Sequence, residues 1–129
     1  MLHGFASSIY TWKDEIPALA RDHEVVALDL PGFGWSDQPA DLSFALYPRV
    51  VVGLLDELGL ARASLVGNSL GGATSVDVAV HHPERVLSLV LHQDPRSLVI
   101  QDNPMHRRLQ RPRSHDVLQN SHRARSSRL

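Results

Sequence analysis

Two apolar rhythms alternate along the chain as far as Leu91. Between residues 10 and 20, Trp12, Ile16 and Leu19 recur at helical spacing, with Pro17 confined to a first turn or a kink. Residues 23 to 30 form a β-branched apolar run that stops at Pro31-Gly32-Phe33-Gly34, which predicts a buried strand followed by a loop. Tyr47, Val51, Leu54, Leu55 and Leu58 then make one helical stripe, and Gly59 stands where a left-handed C-cap belongs. Pro48 fits only in that helix's first turn. Residues 63 to 66 read as a strand, 70 to 81 as a helix, and 86 to 91, after the stop at Pro83, as a further strand. Strands apolar on both faces that alternate with helices predict an α/β fold, a mostly parallel sheet with helices on both faces. There is no internal repeat. After Leu98-Val99-Ile100 the rhythm stops and Ser, Arg, His, Gln and Asn dominate. The expectation is therefore a core of residues 1–95, no ordered strand after Leu91, and a basic, disordered tail over 96–129.

Composition narrows the function classes. The 129 residues, 43% of them hydrophobic, suffice for one domain with a modest core. The absence of cysteine excludes disulfides, thiolate metal sites and cysteine nucleophiles, and makes the cytoplasm the default location. No apolar run reaches the roughly 20 residues that span a bilayer, so no membrane association is expected. The net charge of -1 conceals a split: residues 1–95 carry a net -7, and residues 96–129, with eight arginines against Asp102 and Asp116, a net +6. A basic tail can bind phosphates. No aromatic residue interleaves these arginines as a stacking platform would, which favours a solvated end over a nucleic-acid site.

The chemistry concentrates at Gly67-Asn68-Ser69-Leu70-Gly71-Gly72. This is G-x-S-x-G between a strand and a helix, the context in which the serine occupies a strained bend and is pushed outward as a nucleophile. Gly67 and Gly71 lack the β-carbons that would clash at such a bend, and Gly72 lets the helix start pack closely. The alternative is an ordinary glycine-serine turn.

Three segments together resemble the α/β-hydrolase superfamily: His3-Gly4-Phe5, Asp29-Leu30-Pro31-Gly32-Phe33-Gly34-Trp35-Ser36-Asp37, and the run from Gly67 to Gly72. With His82-Pro83-Glu84-Arg85-Val86 they cover residues 1 to about 95. The resemblance implies a serine hydrolase acting on a small acyl substrate, such as an ester, through an acyl-serine intermediate, with no cofactor and no metal. It implies Ser69 as nucleophile and the backbone N–H groups of Phe5 and Leu70 as the oxyanion hole. Serine at this position argues against the halide- and epoxide-cleaving relatives, which use aspartate there. His3 is expected to shape its loop, and Asp29 to form a turn rather than to act as an acid.

A serine needs a histidine base oriented by a carboxylate, and in this family those follow on later strands. Asp94 is the candidate acid. His106, His115 and His122 are base candidates by default only, and His81, His82 and His92 read as surface or strand-end residues. The resemblance also implies a defect, because the strand that belongs between residues 25–28 and 63–66 is represented by Met1-Leu2 alone. The sheet should then hold a slot roughly 10 Å wide, whose walls must slide together, recruit another chain or leave edges exposed. These features lead to the expectation of a truncated, impaired copy of a longer hydrolase. A catalytically dead ligand-binding domain and a basic-tailed nucleic-acid binder are the competing readings, and oligomeric state is left open.

Overall fold

The computed structural model describes residues 1–93 and 96–101. Their order is a 3-10 turn at Ile9–Trp12, α1 (Glu15–Leu19), α2 (Leu46–Glu57), β1 (Ala63–Asn68), α3 (Leu70–His81), a second 3-10 turn at Pro83–Arg85, β2 (Val86–Gln93) and β3 (Arg96–Gln101). The sheet runs β1-β2-β3. β1 and β2 are parallel, with Leu65 opposite Leu89 and Asn68 opposite His92, while β3 returns antiparallel to β2. Helix α3 packs on both parallel strands and α2 packs beside it. Leu30 and Val78 are wholly buried at the centre of the core, with Val51, Leu65 and Leu89 around them. The architecture is α/β, a parallel strand pair with an antiparallel third strand and helices packed against it.

Local chemistry explains the element ends. The helical stripe between residues 10 and 20 is split into a 3-10 turn and the short α1. Pro17 is the third residue of α1, and a helix continued backward through Lys13 would bring the proline ring against the Lys13 carbonyl. At the other end of α2, Gly59 takes φ +66°, its N–H donates to the Asp56 carbonyl at 3.0 Å, and the Leu60 N–H donates to the Leu55 carbonyl at 2.8 Å. That pair of bonds is a Schellman ending. Arg85 then fastens this ending to the start of β2: its side chain donates to the carbonyls of Ala61 at 2.8 Å and Leu60 at 3.1 Å and meets Asp56 at 2.8 Å.

Two expectations are corrected. Residues 23 to 30 are not a laddered strand; only Leu28 among them makes a β-bridge. A strand requires a neighbour, and the place beside this one is filled for two residues only. Second, β3 follows Leu91, where tail was expected. The run Leu98-Val99-Ile100 supplies the β-branched residues, and the open edge of β2 supplies the partner. Residues 102–129 lie outside the described residues.

The slot itself is present, and its walls have not slid together. Leu2 bridges Leu28 on one side and Gly67 on the other, both in parallel. Below this plug, towards the strands' N-terminal ends, a cavity of about 280 Å³ opens between the walls and α2.

Candidate active site

Ser69 sits where β1 turns into α3, exposed, at φ +50° and ψ -110°. A non-glycine residue at such angles costs on the order of 1–3 kcal/mol and persists only where its surroundings enforce it. The surroundings here are backbone. A β-carbon on Gly67 would collide with the Gly71 carbonyl, and one on Gly71 would collide with the carbonyls of Leu2 and His3. The Gly71 N–H donates to the His3 carbonyl at 3.0 Å, and the Asn68 N–H to the Leu2 carbonyl at 3.0 Å. Strand end, helix start and the Leu2-His3 segment are thus pressed together without intervening side chains. A β-carbon on Gly72 would lie 3.3 Å from the Gly67 carbonyl oxygen, so the first turn of α3 lies close to the strand end here as well.

The buried face of α3 continues this tight packing with small polar residues. Thr74 and Ser75 have no exposure, and each hydroxyl donates to the carbonyl four residues back, at Leu70 (2.9 Å) and Gly71 (2.8 Å). Burial without such bonds would be costly.

His3 is also wholly buried, and both ring nitrogens are committed. Nε2 accepts the Leu30 N–H at 2.9 Å, so the proton resides on Nδ1, which donates to the Gly4 carbonyl at 2.7 Å. Nε2 lies 3.8 Å from an Asp29 carboxylate oxygen, too far for a hydrogen bond and with no proton to share. The geometry makes His3 a brace between two loops, unable to serve Ser69 as a base. Asp29, also buried, accepts the Ile9 N–H at 2.6 Å and the Trp35 N–H at 3.0 Å, and its own carbonyl accepts the Ser36 hydroxyl. It organises turns.

The brace delivers Gly4 to the nucleophile: a β-carbon on Gly4 would lie 3.4 Å from Ser69 Cβ and 3.5 Å from Asn68 Nδ2. Phe5 follows, its ring largely exposed and edge-on to Phe33 at 5.4 Å, with Phe33 in turn edge-on to the His3 ring at 5.7 Å. Among the described residues, neither the Phe5 nor the Leu70 N–H has an acceptor. Ala6, the next residue, has φ +51°. Alanine carries no sequence signal for that conformation, so the chain pattern gave no warning of it.

The structure therefore brings Ser69, Leu70, Gly4 and the Phe5 backbone to one place, with His3, Gly67, Gly71 and Gly72 as its supports. His81 and His82 lie at the opposite end of α3, roughly 18 Å from Ser69 by helix rise. His92 stands opposite Asn68, one strand from the corner. Asp94, His106, His115 and His122 fall outside the described residues. Among the described residues, no three His, Asp or Glu side chains are grouped to hold a metal ion, and no helix is long and apolar enough to cross a membrane.

Known proteins resemble this chain in sequence and in fold. The chain is 43% identical over 99 residues to a 2-hydroxymuconate semialdehyde hydrolase of Pseudomonas sp. (strain CF600), covering 70% of this chain and 34% of the relative. It is 45% identical over 94 residues to the dihydrolipoyllysine-residue acetyltransferase component of an acetoin cleaving system of Pseudomonas putida, covering 70% and 25%. Among solved structures, a hydrolase from Pseudomonas aeruginosa PA01 superposes with a TM-score of 0.66 at 35% identity, over 70% of this chain and 35% of that one. The chain spans about a third or less of these relatives' lengths. The family model described as alpha/beta hydrolase fold matches residues 1–125, and with the serine corner and its braces in place, the chain belongs to that family.

Proposed function

We propose that this chain carries the nucleophile and oxyanion portion of a serine hydrolase that cleaves an ester or related acyl compound through an acyl-serine intermediate. In this reading Ser69 Oγ adds to the acyl carbonyl, and the N–H groups of Phe5 and Leu70 hold the negative charge that develops on the carbonyl oxygen. One such donor contributes about 3 kcal/mol of transition-state stabilisation. The single observation that carries the reading is the enforced positive φ of Ser69 at a bend whose glycines have no room for a β-carbon. The two free N–H groups beside it give the charge a place to go.

The serine proton needs an acceptor, and His3 is committed elsewhere. Asp94 is the proposed acid by its order in the chain, with a histidine base still to be assigned. Ester turnover by this chain alone is accordingly proposed to be weak. The relatives' printed reactions are varied, a semialdehyde hydrolase beside an acetyltransferase component, so the acyl substrate is proposed only as a class.

Labelling with a serine-reactive phosphonate, followed by peptide mass spectrometry, tests this directly. The expected result is slow modification at Ser69 that is absent in Ser69→Ala. Modification at another residue, or equal labelling of the variant, would remove Ser69 from its role. Robust hydrolysis of a simple aryl ester, abolished by the same substitution, would show instead that a base lies within these 129 residues.

A further inference from the structure

The loop that carries the Phe5 N–H is an arch anchored at both ends on two adjacent residues, Asp29 and Leu30. At its first anchor the His3 ring accepts the Leu30 N–H at 2.9 Å and donates to the Gly4 carbonyl at 2.7 Å. The C=O and N–H of a trans peptide point in opposite directions, so fixing the Gly4 carbonyl on His3 turns the Phe5 N–H away from that ring. At the second anchor one Asp29 carboxylate oxygen accepts the Ile9 N–H at 2.6 Å, while the other accepts the Trp35 N–H at 3.0 Å. The carboxylate is itself fixed, because it is 7% exposed and Gly34 packs on it with no room for a β-carbon. Between the anchors, in the turn Phe5-Ala6, Ala6 holds φ +51°. An alanine at that angle is strained, and such strain persists only where the surroundings enforce it. The two anchors are those surroundings.

We propose that Asp29 is a positioning residue for the oxyanion site: through the Ile9 N–H it holds the second end of the arch, and so keeps the strained turn that presents the Phe5 N–H to the acyl oxygen. The proposal rests on the reading of Ser69 as nucleophile with the Phe5 and Leu70 N–H groups as oxyanion donors. Leu70 opens α3 and is set by the Ser69 bend, outside the arch. Releasing the second anchor therefore disables one donor and spares the other. The carboxylate matters for its two acceptor oxygens. Asparagine has one, so either Ile9 or Trp35 would lose its partner.

Two substitutions release the second anchor from opposite sides. Asp29→Asn removes an acceptor, and Ile9→Pro removes the donor alone. Ile9 is the first residue of its 3-10 turn, where proline fits, and Ser8 before it is extended at φ -154° and ψ 178°, as a residue preceding proline must be. Each full chain is treated with excess fluorophosphonate, which leaves a phosphonyl oxygen in the oxyanion's place on Ser69, and the amide proton shifts of Phe5 and Leu70 are compared before and after. Both amides are expected to move downfield in the unsubstituted chain. In the two variants the Phe5 response should fall to half or less, the Leu70 response should persist, and labelling should slow roughly tenfold. Ser8→Ala removes only the neighbouring bond from the Tyr10 N–H and should match the unsubstituted chain in all three readouts. Should Asp29→Asn fail to fold, Ile9→Pro decides alone. A full Phe5 response in a folded variant would overturn the proposal and leave the reading of the site intact. Equal loss at Phe5 and Leu70 would make Asp29 a support of the whole fold and overturn it as well. No labelling of Ser69, or no response at Phe5 in the unsubstituted chain, would overturn the underlying reading and the proposal with it.

Discussion

The upper and lower ends of one slot are built to opposite standards. At the upper end Met1 and Leu2 are bonded to both walls, and the Leu2 and His3 carbonyls are packed so closely on Gly71 that a methyl group has no room. A few ångströms lower the same walls face each other across a cavity of about 280 Å³. The difference shows where the serine corner is held: at the end of the slot that Leu2 and His3 fill. Among the described residues, the backbone bonds that this segment makes to the corner come from Leu2 and His3.

The most severe way to break this comparison is to force a side chain into the closed end. Gly71→Ala places a methyl group against backbone on both sides, at Leu2 and at His3, and backbone cannot rotate away as a side chain can. A loss of roughly 3 kcal/mol or more is expected in urea unfolding, together with loss of phosphonate labelling at Ser69. Gly53→Ala serves as the control. Position 53 lies inside α2 with nothing near its β-carbon, so alanine should stabilise by about 0.5–1 kcal/mol. If the two substitutions behaved alike, the close approach at residue 71 would be refuted.

Truncating a leucine at each end sharpens the same contrast at lower cost. Leu2 is 3% exposed between the walls, and Leu2→Ala should cost about 3 kcal/mol by the usual sum of lost burial and residual cavity. Leu58 borders the open end and is 47% exposed, so Leu58→Ala should cost less than about 1 kcal/mol. Comparable losses at the two positions would mean that the lower slot is closed in solution.

The sequence was most informative where one residue type has one physical reason to be present. Gly59 at the end of α2, Pro17 and Pro48 in first turns, and the glycines around Ser69 were all legible, because a positive φ, a missing N–H or a missing β-carbon is local chemistry. What depended on a partner was not. Residues 23 to 30 carry every mark of a strand, yet ladder formation is a property of pairs, and among the described residues only Leu28 of this run is bridged. Residues 96–101 carry a weak mark and still form β3, because the edge of β2 was available. Within the site, Ser69 and Gly4 could be named from motif spacing, whereas the tautomer of His3 follows from its bond to the distant Leu30, and the positive φ of Ala6 has no mark in the sequence.

For a chain that starts at Met1, an effect somewhat smaller than those of Gly71→Ala and Leu2→Ala comes from the charge on its amine. Burial lowers the Met1 amine from an ordinary value of 8.0 to about 6, because the charged form loses water that the Val26 carbonyl only partly replaces. Between these two values the unfolded chain holds a proton that the folded chain does not, so stability rises with pH. For a chain whose first residue is Met1, the full stability is present above pH 8 and is lost as pH falls through 6. Below that it levels off at a deficit of about 2–3 kcal/mol. Urea unfolding at pH 6 and pH 8.5, with the Nα-acetylated chain as reference, isolates this amine from the histidines that titrate over the same range. A difference between the two chains that does not change with pH would place the amine in water, and the upper end of the slot would then be less tightly closed than its hydrogen bonds imply.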